Sequence, residues 1–130
     1  MSGSHPDINE MDERKKLGQL GEDLAVQLLE ENGVRILERN FVSKLGELDI
    51  VADDHGTLVF VEVKTRFPGQ FSLPEEAVTP YKIKHIIKAG EYYLLIHPSK
   101  LEGPRIDVVA IEFDNSGKVS RREIIKNITL

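Results

Sequence analysis

Leu17, Leu20, Leu24, Ala25, Leu28 and Leu29 fall at three- and four-residue intervals, which predicts a helix over about residues 10–32. Gly33 follows in the C-cap position, where a residue with positive φ is wanted. Residues 34–41 alternate crudely between apolar and polar and predict a short strand. Two stretches rich in Val, Ile and Phe, at 47–52 and 57–65, flank Asp53-Asp54-His55-Gly56. That composition predicts an antiparallel hairpin with its turn centred on Asp54 and His55. Beyond a Pro- and Gly-bearing segment at 67–74, Thr79 offers an N-cap and Pro80 the first position of a second helix running towards Ile96. Its apolar positions Ile83, Ile86, Ile87, Gly90, Tyr93 and Leu94 keep to one face, and Pro98 stops it. An almost continuous apolar run at 106–113, a turn at Asn115-Ser116-Gly117 and a more polar run at 119–125 predict two final strands. The order αβββαββ predicts an α/β fold, a mixed five-stranded sheet flanked by helices. Residues 1–9 carry no periodic pattern and are expected to form a flexible tail before a single domain over 10–130.

The hairpin also carries charges that its apolar context does not require. Strand side chains alternate with period two, so Glu62 and Lys64 share one face of their strand, as do Glu47 and Asp49 on theirs. A turn centred on Asp54 and His55 sets Glu47 opposite Glu62 and Asp49 on the diagonal, where roughly 7 to 8 Å separates neighbours. Two carboxylates about 4 Å apart repel by about 4 kcal/mol at an effective dielectric near 20. A proton, a lysine or a cation must relieve that repulsion. Hard carboxylate oxygens with the backbone carbonyl of Val63 suit Mg²⁺ or Mn²⁺, making Asp49, Glu62 and Val63 the candidate metal ligands. Lys64 would position a water nucleophile or stabilise developing negative charge. The competing reading is a solvent-facing Glu-x-Lys strand with no chemistry, which the apolar neighbours on both strands disfavour.

Composition narrows the alternatives. The chain has 130 residues, 40% hydrophobic and 30% charged, as expected for one globular domain. Cysteine is absent, which excludes disulfides and thiolate chemistry. With no signal-peptide pattern and no apolar run long enough for a membrane span, the expected location is the cytoplasm. His5, His55, His85 and His97 show no metal-ligand spacing. The net charge of −5 opposes general nucleic-acid affinity. Residues 64–105, however, hold seven Lys and Arg against four Glu, so a local basic surface is available. Thr65 and Arg66 just past the motif, and Lys82, Lys84 and Lys88 on the second helix, are candidate phosphate contacts; an exposed basic face is the alternative. Asp107 on its apolar strand reads as a satisfied structural carboxylate.

The motifs Gly46-Glu47-Leu48-Asp49-Ile50-Val51 and Val59-Phe60-Val61-Glu62-Val63-Lys64-Thr65-Arg66 also carry a family resemblance. With Gly21-Glu22, Arg39-Asn40, Glu76-Ala77-Val78-Thr79 and Arg105-Ile106-Asp107-Val108-Val109, the chain resembles the uncharacterised bacterial YraN-like proteins. These look like relatives of archaeal Holliday-junction resolvases in the PD-(D/E)XK nuclease superfamily. The resemblance covers residues 18 to about 109 and implies a restriction-endonuclease-like core. It further implies a Mg²⁺-dependent endonuclease acting on DNA, including branched DNA, and a homodimer. It assigns the catalytic positions to Asp49, Glu62 and Lys64, and a further acidic position on the first helix to Glu22, which otherwise reads as a solvated helix boundary. Gly-Glu-Leu-Asp stands where the superfamily carries Pro-Asp. A nucleic-acid-binding or scaffold protein without turnover is the alternative function.

Overall fold

The first helix, α1, spans Pro6–Glu31 in the computed structural model, which describes residues 6–128. It begins earlier than the sequence pattern suggests, and the part of the expected tail before Pro6 lies outside the described residues. Its end follows from local chemistry. Gly33 adopts φ 77°, the Gly33 N–H donates to the Glu30 carbonyl, and the Val34 N–H reaches the Leu29 carbonyl at 3.0 Å. This is the paired hydrogen-bond pattern with which a glycine turns a chain out of a helix.

Five strands follow: β1 (Arg35–Ser43), β2 (Gly46–Asp54), β3 (Thr57–Arg66), β4 (Glu102–Phe113) and β5 (Val119–Ile125). They form one sheet in the order β1-β2-β3-β4-β5. All neighbours pair antiparallel except β3 and β4, which are parallel and joined through a short 3-10 turn at Pro74–Ala77 and helix α2 (Pro80–Ile96). The mixed five-stranded α/β fold expected from the sequence is therefore present, and it is compatible with a restriction-endonuclease-like core. Helix α2 starts where Thr79 and Pro80 predict, the Thr79 hydroxyl accepting from the Lys82 N–H. Strand β4 begins four residues earlier than its apolar run suggests, because Gly103 and Pro104 sit at a register shift against β3 and obscure the strand's start.

Each face of the sheet has its own core. Ala25 and Leu29 of α1 pack with Ile50, Ala52, Val59, Val61, Val109 and Ile111. Ile86, Ala89 and Tyr93 of α2 pack with Phe41, Leu48, Val51, Leu58, Phe60 and Ile106. Central strand β3 is thus covered on both faces, which explains its apolar run at residues 58–61. Gly90 permits the close seating of α2, since a Cβ there would stand 2.2 Å from the Phe60 ring. Among the described residues no helix is long and apolar enough to cross a membrane.

Candidate metal and nucleic-acid site

The β2–β3 hairpin turns on His55 and Gly56, with φ of 52° and 98°, one position later than the predicted centre. Positive φ at both central residues matches the right-handed strand twist. Asp54 cannot join the turn because its buried carboxylate is held by Arg105 of β4 and by Lys126 at 3.3 Å. The pairing runs from Asp54↔Thr57 to Ile50↔Val61, and one step further that register sets Asp49 opposite Glu62. The expected register, with Glu47 opposite Glu62 and Asp49 diagonal, is corrected by two residues. The shift is even, so Asp49 and Glu62 stay on one side, near enough for Asp49 to act on the Glu62 carboxyl.

At Asp49 the strands depart from regularity. Ile50 packs beneath α1, whereas Leu48, two residues earlier, packs beneath α2, so simple alternation fails between them. The same switch occurs on β1, where Arg39 reaches α1 and Phe41 packs edge-on against Tyr93 of α2 at 5.2 Å. Asn40 lies between them with φ 54°, opposite Asp49 in the register bracketed by Arg39↔Ile50 and Phe41↔Leu48. Asparagine tolerates this left-handed geometry better than most residues. The Asp49 carboxylate turns towards β3 and accepts the Val63 N–H at 2.8 Å. A side chain thereby replaces a backbone partner where the ladder opens. In an antiparallel ladder a residue's N–H and C=O share an edge, so the Val63 carbonyl also faces this opening.

Glu62 is 5% exposed, yet neither lysine near it is within hydrogen-bonding distance. Lys64 Nζ lies 3.7 Å and Lys82 Nζ 3.6 Å from Oε1. Burial, and then the charge of Asp49, push the Glu62 carboxyl up to about 7, against weaker pulls from Lys82 and Lys64. The two acids are therefore short of positive charge. A divalent cation fits this donor set of two carboxylates and a carbonyl, all hard oxygens, with water completing the shell.

The remaining expected residues distribute unevenly. Glu22 accepts hydrogen bonds from Arg39 at 3.2 Å and Asn40 at 2.9 Å, which ties α1 to the residue opposite Asp49. It is not gathered with Asp49 and Glu62, and among the described residues no group of three or more His, Cys, Asp or Glu could hold a metal. The Thr65 methyl occupies the space a side chain at Gly21 would need, 2.4 Å from that Cβ position, which puts Thr65 against α1 rather than beside the carboxylates. Arg66 donates to the Thr65 carbonyl at 3.2 Å, and its buried Nε finds no hydrogen-bond partner. Lys84 is exposed on α2. Lys82, expected as a phosphate contact, stands 3.6 Å from Glu62, and Glu47 lines a cleft with Lys82, Tyr81 and His85. Sequence reasoning noted Asn40 within a motif but gave it no role, although a polar residue inside a predicted strand was its signal. Asp107 is a satisfied structural carboxylate, accepting from Arg105 Nε and Nη2 at 2.9 Å and from the Asn127 N–H.

Residues 21–111 match the family described as "Uncharacterised protein family UPF0102". Among similar curated proteins, the UPF0102 protein of Syntrophomonas wolfei is 46% identical over 111 residues, covering 85% of this chain and 96% of that protein. That of Caldicellulosiruptor bescii is 44% identical over 114 residues, covering 87% and 96%, and that of Persephonella marina 44% over 98 residues, covering 75% and 84%. The match agrees with the YraN-like resemblance read from the motifs.

Proposed function

Because the chain belongs to the UPF0102 family, whose description carries no activity, we propose its function from the site itself: metal-dependent hydrolysis of phosphodiester bonds in DNA. The observation that carries this reading is Glu62, a buried carboxylate set against Asp49 with two lysines nearby but neither hydrogen-bonded to it. A stable fold gains nothing from such a pair, whereas a site awaiting a cation and a phosphate requires it. Asp49, Glu62 and the Val63 carbonyl would hold Mg²⁺ or Mn²⁺. When bound, the ion would polarise the scissile phosphate and acidify its water. Lys64 and Lys82 bracket Glu62 and would orient the attacking water and stabilise the charge that grows on the phosphate oxygens. The hydrogen bond from the Val63 N–H fixes the Asp49 carboxylate in advance. Glu22 would act through Asn40 as a positioning residue, and Arg66 would contact the phosphate backbone beyond the site.

Magnesium titration with plasmid and four-way-junction substrates tests the proposal. Cleavage that requires Mg²⁺ or Mn²⁺ and disappears in Glu62→Ala and Lys64→Ala is the expected result. Binding without cleavage would favour the second reading, a scaffold or nucleic-acid-binding protein without turnover, for which the net charge of −5 speaks. A homodimer, which the resolvase resemblance implies, would let a domain this small span a duplex; sedimentation velocity checks it.

A further inference from the structure

The face of α2 that points away from the sheet carries Tyr81, Lys84, His85 and Lys88, spaced so that they form one stripe over two turns. Tyr81 is 73% exposed, and its ring meets the His85 imidazole edge-on, centroids 4.4 Å apart. The phenol is therefore braced by a neighbour while most of its surface stays open. Two shallow clefts meet here. One is lined by Gly46, Glu47, Tyr81, Lys82, His85 and Ile86, the other by Tyr81, Lys84, His85 and Lys88. Tyr81 and His85 belong to both clefts, which makes a continuous furrow. Lys82 lines it and stands 3.6 Å from Glu62, so one lysine links the furrow to the carboxylates.

We propose that this furrow is the track of an unpaired DNA strand leading away from the carboxylate site. The inference rests on the nuclease reading and narrows its substrate to DNA with a single-stranded flank. Charge favours a polyanion: no acidic residue occurs between Glu76 and Glu91, where the chain carries Lys82, Lys84 and Lys88, although the whole protein is at −5. Glu47 is the one acidic side chain lining the furrow. Among the described residues Lys84 and Lys88 make no ion pair, which leaves their ammonium groups available to phosphates. Along the helix Lys84 and Lys88 are about 6 Å apart, so they can meet neighbouring phosphates of one strand. An open aromatic face takes a base by stacking, which an intact duplex cannot offer because its base faces are already stacked. The stripe contains no Arg, Asn or Gln, and stacking on a tyrosine accepts any base, so binding along it has little dependence on sequence.

Fluorescence anisotropy of the full chain in EDTA, with a labelled oligo-dT strand and a blunt duplex of equal length, tests the track without turnover. The strand binds at least tenfold tighter than the duplex. Tyr81→Ala weakens strand binding about tenfold or more, and Tyr81→Phe restores it. Lys84→Ala with Lys88→Ala lowers the slope of log K against log salt by about 1.4, from about 0.7 per phosphate contact on a single strand. All three sites are exposed, and unchanged melting curves verify that the variants fold. Equal affinity for duplex and strand, or binding indifferent to Tyr81→Ala, overturns the track. The two levels separate cleanly: strand binding with no metal-dependent cleavage overturns the nuclease reading alone, whereas cleavage indifferent to Tyr81→Ala overturns the track alone.

Discussion

Glu62→Gln is expected to make the metal-free protein more stable at alkaline pH while removing its response to metal. In the folded chain the Glu62 carboxyl titrates at about 7, against 4.5 for an ordinary glutamate. The native state thus holds a proton that the unfolded chain gives up, and stability falls as pH rises through that window. Below 4.5 both states are protonated and Glu62 costs nothing; above about 7 the full penalty applies. At 1.36 kcal/mol per pH unit the interval from 4.5 to about 7 corresponds to about 3 kcal/mol. Gln keeps the shape without the charge, so its advantage over Glu should grow from near zero at pH 4.5 to about 3 kcal/mol at pH 8. For a domain of this size that is about 10 °C in Tm. Urea unfolding in EDTA at pH 4.5, 6 and 8 measures the difference, and saturating Mg²⁺ at pH 8 should reverse its sign by stabilising only the wild type. A gap below about 1 kcal/mol at pH 8, or one that does not change with pH, would refute the idea that Asp49 and Glu62 form a strained pair.

Three other perturbations probe the frame around the site. Arg105→Met leaves the buried Asp54 and Asp107 without their shared guanidinium, and a loss of about 3 to 5 kcal/mol is expected in urea unfolding, with less than 1 kcal/mol counting against the network. The same guanidinium holds the Asp54 carboxyl well below the usual carboxylate range. Its contribution is therefore present above 3.8 and lost as pH falls below that value, so Asp54→Asn should flatten the acid limb of the stability curve. Gly90→Ala would press a methyl into the Phe60 ring and cost about 1 to 3 kcal/mol, visible as an earlier urea midpoint.

What the sequence made legible was local. Gly33 ends α1 and Thr79-Pro80 starts α2 through hydrogen bonds to residues at most five positions away, and both could be placed without tertiary knowledge. The hairpin register was not local. Asp54, His55 and Gly56 are all acceptable turn residues, and the choice among them depends on Arg105, 51 positions along the chain, which draws Asp54 back into its strand. Even so, the placing of Asp49 and Glu62 on one side of the hairpin survived a wrong turn centre, because the error was an even number of residues.

Lys82 marks the other boundary of inference. From the sequence it is one of three lysines on an exposed helix face, indistinguishable from Lys84 and Lys88. Its role is decided by how α2 crosses the sheet, and that crossing depends on two glycines. A side chain at Gly90 would strike Phe60, and one at Gly46 would press against Ala89 and the His85 carbonyl at 3.3 Å. Both glycines let α2 sit close to the sheet, and Lys82 in its first turn stands 3.6 Å from Glu62. The residues that bring the second cation to the acids therefore have no side chains, and no scan for charged or catalytic residues would single them out.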